Sequence, residues 1–119
     1  MLDMQRFRAA RIIIDIGVHC KMFIPKHWQK TYGQGIWDYN KAKRFLADMV
    51  NMNQGFQKFE LDRYMGIPGQ AISYKLGQRS WLNLRDKALT KGWKLKDFHT
   101  QALSFGCLSF DLLDKALFE

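Results

Sequence analysis

Only two cysteines, two prolines and three histidines occur in this chain of 119 residues. Cys20 and Cys107 make no Cys-x-x-Cys pair, which excludes a zinc knuckle and a thioredoxin-type redox site and leaves two buried thiols in a reducing compartment as the expectation. His19, His27 and His99 belong to no His-Glu-x-x-His segment, and no clustered carboxylates offer metal-ligand spacing. His27, beside Trp28, and His99, after Asp97 and Phe98, read as surface or capping residues. Neither a Gly-x-Ser-x-Gly turn nor a glycine-rich phosphate loop after a strand is present. No apolar run approaches the roughly 18–20 residues of a membrane span, and Arg6, Arg8, Arg11 and Asp15 break any signal-peptide core. No membrane association and a cytoplasmic location are therefore expected. Acidic residues are scarce, eleven against nineteen Lys and Arg, for a net charge of +8. The basic residues are scattered from Arg6 to Lys115 without a run of five or a recognition signature, so nucleic acid is not the expected partner.

What is present is a composition that folds: 47% of residues are apolar and 14% aromatic, well outside the disordered regime. The length fits one domain burying roughly two-thirds of its unfolded-state surface. Four tryptophans and nine phenylalanines either fill a dense core or leave apolar surface for another polypeptide to cover. Helical periodicity runs from Leu2 to Val18, followed by an irregular loop over Phe23 to Gly35. An amphipathic helix spans Asp38 to about Met52, with Ala42, Phe45, Leu46 and Met49 inward. A further helix covers Phe56 to Met65, with Phe56, Phe59 and Tyr64 inward. Pro68-Gly69 opens a long helix to about Thr90, Pro68 being suited to a first helical turn, and Gly92 stops it. Leu95 to Phe105 and Ser109 to Leu117 complete the pattern, the last capped by Ser109. The class is all-α with about six helices.

Two polar constellations stand out. On the first helix Arg8, Arg11, Asp15 and His19 fall within an arc of roughly 80° at helical spacing, while the other faces are apolar. Asp15 is placed to bond both Arg11 and His19, one turn away on either side. The stripe fits a solvated face held by ion pairs, or a wet internal cleft in which Asp15 orients His19 as a proton or hydrogen-bond donor. Around the Pro68-Gly69 turn, Gln70, Tyr74 and Gly77 share a side of the long helix, Arg63 and Tyr64 approach from the preceding one, and Gly77 leaves room beside the Tyr74 phenol. A phenol and a cation converging there suit a carboxylate or an oxyanion; a structural ion pair and a capped phenol are the plainer account.

Leu2-Asp3, Arg8 to Arg11, Asp15 to His19, Glu60 to Tyr64, Pro68 to Ala71, Tyr74 to Gly77, Leu84-Arg85, Phe98-His99 and Gly106 to Leu108, in this order, resemble the C-terminal part of the bacterial domain-of-unknown-function 885 family. The resemblance covers essentially the whole chain. It implies a segment, residues 1–119, of a larger helical zincin-like fold. Longer family members carry a His-Glu zinc motif and a further glutamate upstream, so zinc is implied for the complete protein and no metal ligand for this chain. By analogy with helical zinc peptidases, the resemblance assigns His19 and Tyr74 to catalysis and Arg63, Tyr64, Gln70, Arg11 and Asp15 to substrate contacts.

The function so implied is the substrate-cleft segment of a zinc-dependent peptidase-like hydrolase, inactive alone and completed by an upstream polypeptide. The alternatives are a non-enzymatic helical interaction module or a functionless remnant. A first helix that is apolar on most faces also predicts self-association of the isolated chain.

Overall fold

A computed structural model of the chain describes residues 2–119. Among them are seven α-helices and one short 3-10 helix, with no strand beyond an isolated bridge between Phe23 and Ile36. The all-α class is as expected. The chain divides into two compact units, Met1–Lys75 and Leu76–Glu119, each with its own core.

In the first unit, α1 (Leu2–His19) buries Phe7, Ala10, Arg11, Ile14 and Asp15, the three-and-four spacing of one helical stripe. That stripe meets Ala42, Phe45 and Leu46 of α3 (Tyr39–Met49) and Leu61 and Tyr64 of α4 (Gln54–Gly66). Asp38 opens α3 by accepting a hydrogen bond from the Lys41 amide at 2.9 Å, and Asn53 does the same for α4 from the Phe56 amide at 2.8 Å. Both relieve amides that have no partner within the helix.

Between α1 and α3, where the composition suggests an irregular loop, a 3-10 turn (Lys26–Trp28) runs into the short α2 (Gln29–Tyr32). Its rings explain the order. Trp28, Tyr32, Trp37 and Phe45 form an edge-on and tilted cluster with centroids 5.1–6.3 Å apart, and aromatic pairs in these geometries add stability beyond their buried area. Gly17 lets the Trp37 indole close on α1, because a Cβ there would stand 2.7 Å from the ring.

Three expectations are corrected. Residues 67–72 form turns, and α5 starts at Ser73 (Ser73–Thr90) rather than at Pro68. Gly69 has a φ of +82°, a left-handed value that a right-handed helix cannot absorb. On α4, Phe56 and Phe59 are exposed instead of facing the core, because the buried face runs through Glu60, Leu61 and Tyr64. Both thiols, Cys20 and Cys107, are exposed, since each lies in a turn beyond a helix end.

In the second unit, Leu84 and Ala88 of α5 form a core with Phe98 and Ala102 of α6 (Leu95–Ser104) and Leu113 and Leu117 of α7 (Phe110–Phe118). Gly92, at φ +85°, follows the end of α5, and the Ser109 side chain caps α7 as expected. A Cβ at Gly77 would lie 3.6 Å from the Phe110 ring, so this glycine sits in ordinary packing contact with α7. His99 stacks on Trp81 at 6.1 Å. Among the described residues no helix is long and apolar enough to cross a membrane.

Candidate functional site

Glu60 is the hub of the polar cluster. It occupies the buried face of α4 because Leu61 and Tyr64 are drawn into the core on either side. Its carboxylate accepts hydrogen bonds from the Tyr64 hydroxyl at 2.5 Å and from Arg63 Nη2 at 2.7 Å. Arg63 in turn donates through Nη1 to Gln70 Oε1, tying the end of α4 to the turn that follows. Burial alone favours the protonated acid at Glu60, but the Tyr64 and Arg63 hydrogen bonds and the Arg63 and Arg11 charges outweigh it and hold the pKa below the ordinary value. Burial, then the bond to Glu60, pushes the Tyr64 phenol well above its usual range, so Tyr64 is a fixed donor and no proton source near neutrality. The bond to Glu60 holds Arg63 more firmly protonated.

Asp15 and His19 anchor backbone. The buried Asp15 carboxylate accepts from the Gly69 amide at 3.0 and 3.1 Å, which holds the turn after α4 against α1. His19 Nε2 lies 2.9 Å from the Tyr64 carbonyl oxygen; a carbonyl only accepts, so Nε2 carries the proton. Asp15 Oδ1 is 3.7 Å from the same nitrogen. The pairing of Asp15 with His19 thus matches the helical spacing, whereas Arg11 and Asp15 form no ion pair among the described residues. Asp15 is turned to Gly69, and Arg11 is packed among rings.

Arg11 is 6% exposed. Its Cζ lies 5.4 Å from the Phe7 ring centroid, 5.2 Å from Tyr64 and 5.3 Å from Tyr74, and its Nε and Nη2 have no hydrogen-bond partner. Arg8 stands 5.5 Å from the Tyr74 ring. These groups border a cleft of about 350 Å³ lined by α1, α4, Gln70 and Tyr74.

Of the residues singled out from sequence, Arg8, Arg11, Arg63, Gln70 and Tyr74 line this cleft. Tyr64 is outside the lining but contacts Glu60 and Arg11, and Asp15 and His19 are bonded to the backbone of Gly69 and Tyr64 rather than facing the cleft. Glu60 also belongs to the site and was given no role there from sequence, and Arg8 was placed in the charged stripe without a substrate contact. Glu60, Arg63 and Tyr64 at i, i+3 and i+4 carry a signal that finds them. No three His, Cys, Asp or Glu side chains among the described residues are grouped so as to hold a metal ion.

No curated protein matches the chain. A family model does, over residues 1–117, and this span takes in the first compact unit, all but the last two residues of the second, and every residue of the cleft. The chain belongs to the DUF885 family, described as bacterial protein of unknown function.

Proposed function

We propose that the chain is the substrate-contacting segment of a zinc-dependent peptidase-like hydrolase, with the zinc ligands supplied by another polypeptide segment. The observation that carries this reading is the convergence of Arg8, Arg11, Arg63, Gln70 and Tyr74 on one cleft. Such a wall suits a polar backbone substrate and the negative charge that develops on its carbonyl oxygen. The Tyr74 phenol is the hydroxyl in the cleft that can donate a hydrogen bond to that oxygen, with two guanidiniums 5.3 and 5.5 Å from its ring to favour the charge. His19, bonded to the Tyr64 carbonyl, serves as a positioning residue for the end of α4 and, through it, for Arg63.

In the enzyme reconstituted with the polypeptide carrying the zinc motif, Tyr74→Phe is expected to lower kcat by about 100-fold, the scale of losing one oxyanion donor, with KM nearly unchanged. Steady-state peptide hydrolysis measures both. An unaltered kcat removes Tyr74 from the reaction. The exposed Phe23, Phe59 and Leu103, at 75, 61 and 68%, favour a second reading, a helical interaction module. On that reading Tyr74→Phe changes no turnover, and Phe23 and Phe59 carry binding to a protein partner.

A further inference from the structure

Buried polar groups in folded proteins are almost always hydrogen-bonded, and a buried charge without partners costs stability. The first unit obeys this rule at Asp15, held by the Gly69 amide, and at Glu60, held by Tyr64 and Arg63. Arg11 is the exception, with Nε and Nη2 both unpartnered. Those two nitrogens flank one edge of the planar guanidinium, so their N–H bonds run parallel, as the two oxygens of a carboxylate require.

We propose that the cleft is a carboxylate site anchored by Arg11, and that its ligand is the free C-terminal carboxylate of a short peptide ending in an apolar residue. This deepens the hydrolase reading by naming its substrate class and rests on that reading only for the fate of the bound peptide. The lining carries three guanidiniums, Arg8, Arg11 and Arg63, against one carboxylate, Glu60, which is already engaged. The surplus favours an anion, while Glu60 disfavours a dianion such as phosphate. Met4, Phe7 and Phe56 complete the wall and suit an apolar side chain next to the carboxylate. Both nitrogens are closed off from solvent, and the rings of Phe7, Tyr64 and Tyr74 surround the guanidinium. Of these only Tyr74 is exposed, at 56% against 4% and 1%, so the ligand reaches Arg11 by turning that ring aside.

Calorimetric titration of the full 119-residue chain with Ala-Ala-Phe, with its C-terminal amide and with inorganic phosphate tests the proposal. The free acid is expected to bind, with the amide and phosphate each about 30-fold weaker or worse, the low end of what a desolvated charge contact carries. Arg11→Met, which keeps the length of the side chain, should lose the same factor while keeping a cooperative melt, although the charge beside Glu60 and its stacking on three rings are lost with it. Equal binding of acid and amide, phosphate binding as tight as the peptide, no binding of the acid at millimolar concentration, or undiminished binding by Arg11→Met would each overturn it. Should that variant fail to fold, the comparison of acid with amide on the wild-type chain decides alone. Failure of the hydrolase reading looks different: the acid is preferred and bound, but the reconstituted enzyme does not cleave it.

Discussion

Glu60 is the residue at which packing and electrostatics meet, because its carboxylate is buried yet held charged by Tyr64 and Arg63. Its pKa is lowered in the folded state, so the folded chain holds this carboxylate's proton less tightly than the unfolded chain does. The stability it contributes is fully present above the unfolded carboxyl value, about 4.3, and is lost as pH falls through the lower folded value. Tyr64 has the opposite sign: its pKa is raised by burial first and Glu60 second, so its contribution is present below the ordinary phenol value of about 10 and declines as pH rises beyond it. Glu60→Gln keeps an acceptor for the Tyr64 hydroxyl and discards the charge that Arg63 faces. It is expected to cost about 2 kcal/mol at pH 7, below the 3–5 kcal/mol of breaking a fully buried pair, because the Arg63 side chain is 24% exposed. Urea unfolding between pH 2.5 and 7 should show the wild-type acid limb flattened in the variant. Parallel profiles would mean that Glu60 is not the group that titrates.

At the scale of elements, the turn between α4 and α5 decides where Gln70 and Tyr74 stand. Gly69 holds a φ of +82°, and no heavy atom lies within 4 Å of the place a Cβ would take, so Gly69→Ala meets only the conformational cost of a left-handed alanine, about 1–2 kcal/mol. Gly66 also has open space, but with no left-handed φ and as the last residue of α4. Gly66→Ala is therefore expected to be neutral or slightly stabilising. Thermal melts of the two variants should diverge in that direction; equal melting temperatures would mean that the Gly69 turn relaxes without strain. The same turn marks the boundary of what was legible. Local signals located α3 through the spacing of Ala42, Phe45 and Leu46, and α7 through the Ser109 cap, since caps and periodicity are encoded within a few residues. They misplaced the start of α5, because Pro68 is compatible with a first helical turn until Gly69 donates to Asp15, 54 positions earlier. They missed α2, whose order comes from Trp37 and Phe45, outside it in the chain. The residues of the cleft were readable as chemical types, but the rings that displace Asp15 as the neighbour of Arg11 come from α1, α4 and α5 together.

For the whole molecule, the two cores differ in what they bury. The first combines Phe7, Ile14, Ile24, Tyr32, Trp37, Phe45, Leu46, Leu61 and Tyr64 with smaller side chains. The second has four large buried side chains, Leu84, Phe98, Leu113 and Leu117, with Ala88 and Ala102, in a segment close to the roughly 40-residue size below which small domains need staples or partners. It also leaves Leu103, Leu112 and Leu95 exposed at 68, 55 and 48%, apolar surface that contributes nothing to its stability. Opening of this second core is therefore expected at lower free energy than global unfolding, by about 2 kcal/mol or more, as is common for the weaker cooperative unit of a chain. Native-state hydrogen exchange in low urea reads this residue by residue. Amides of Ala88, Phe98 and Leu113 should exchange together through one sub-global opening, while those of Ile14, Phe45 and Leu61 follow the global isotherm. A single isotherm for both sets would show that the two units unfold as one, and that the fold protecting the Arg11 cleft draws its stability from the full chain rather than from the first unit.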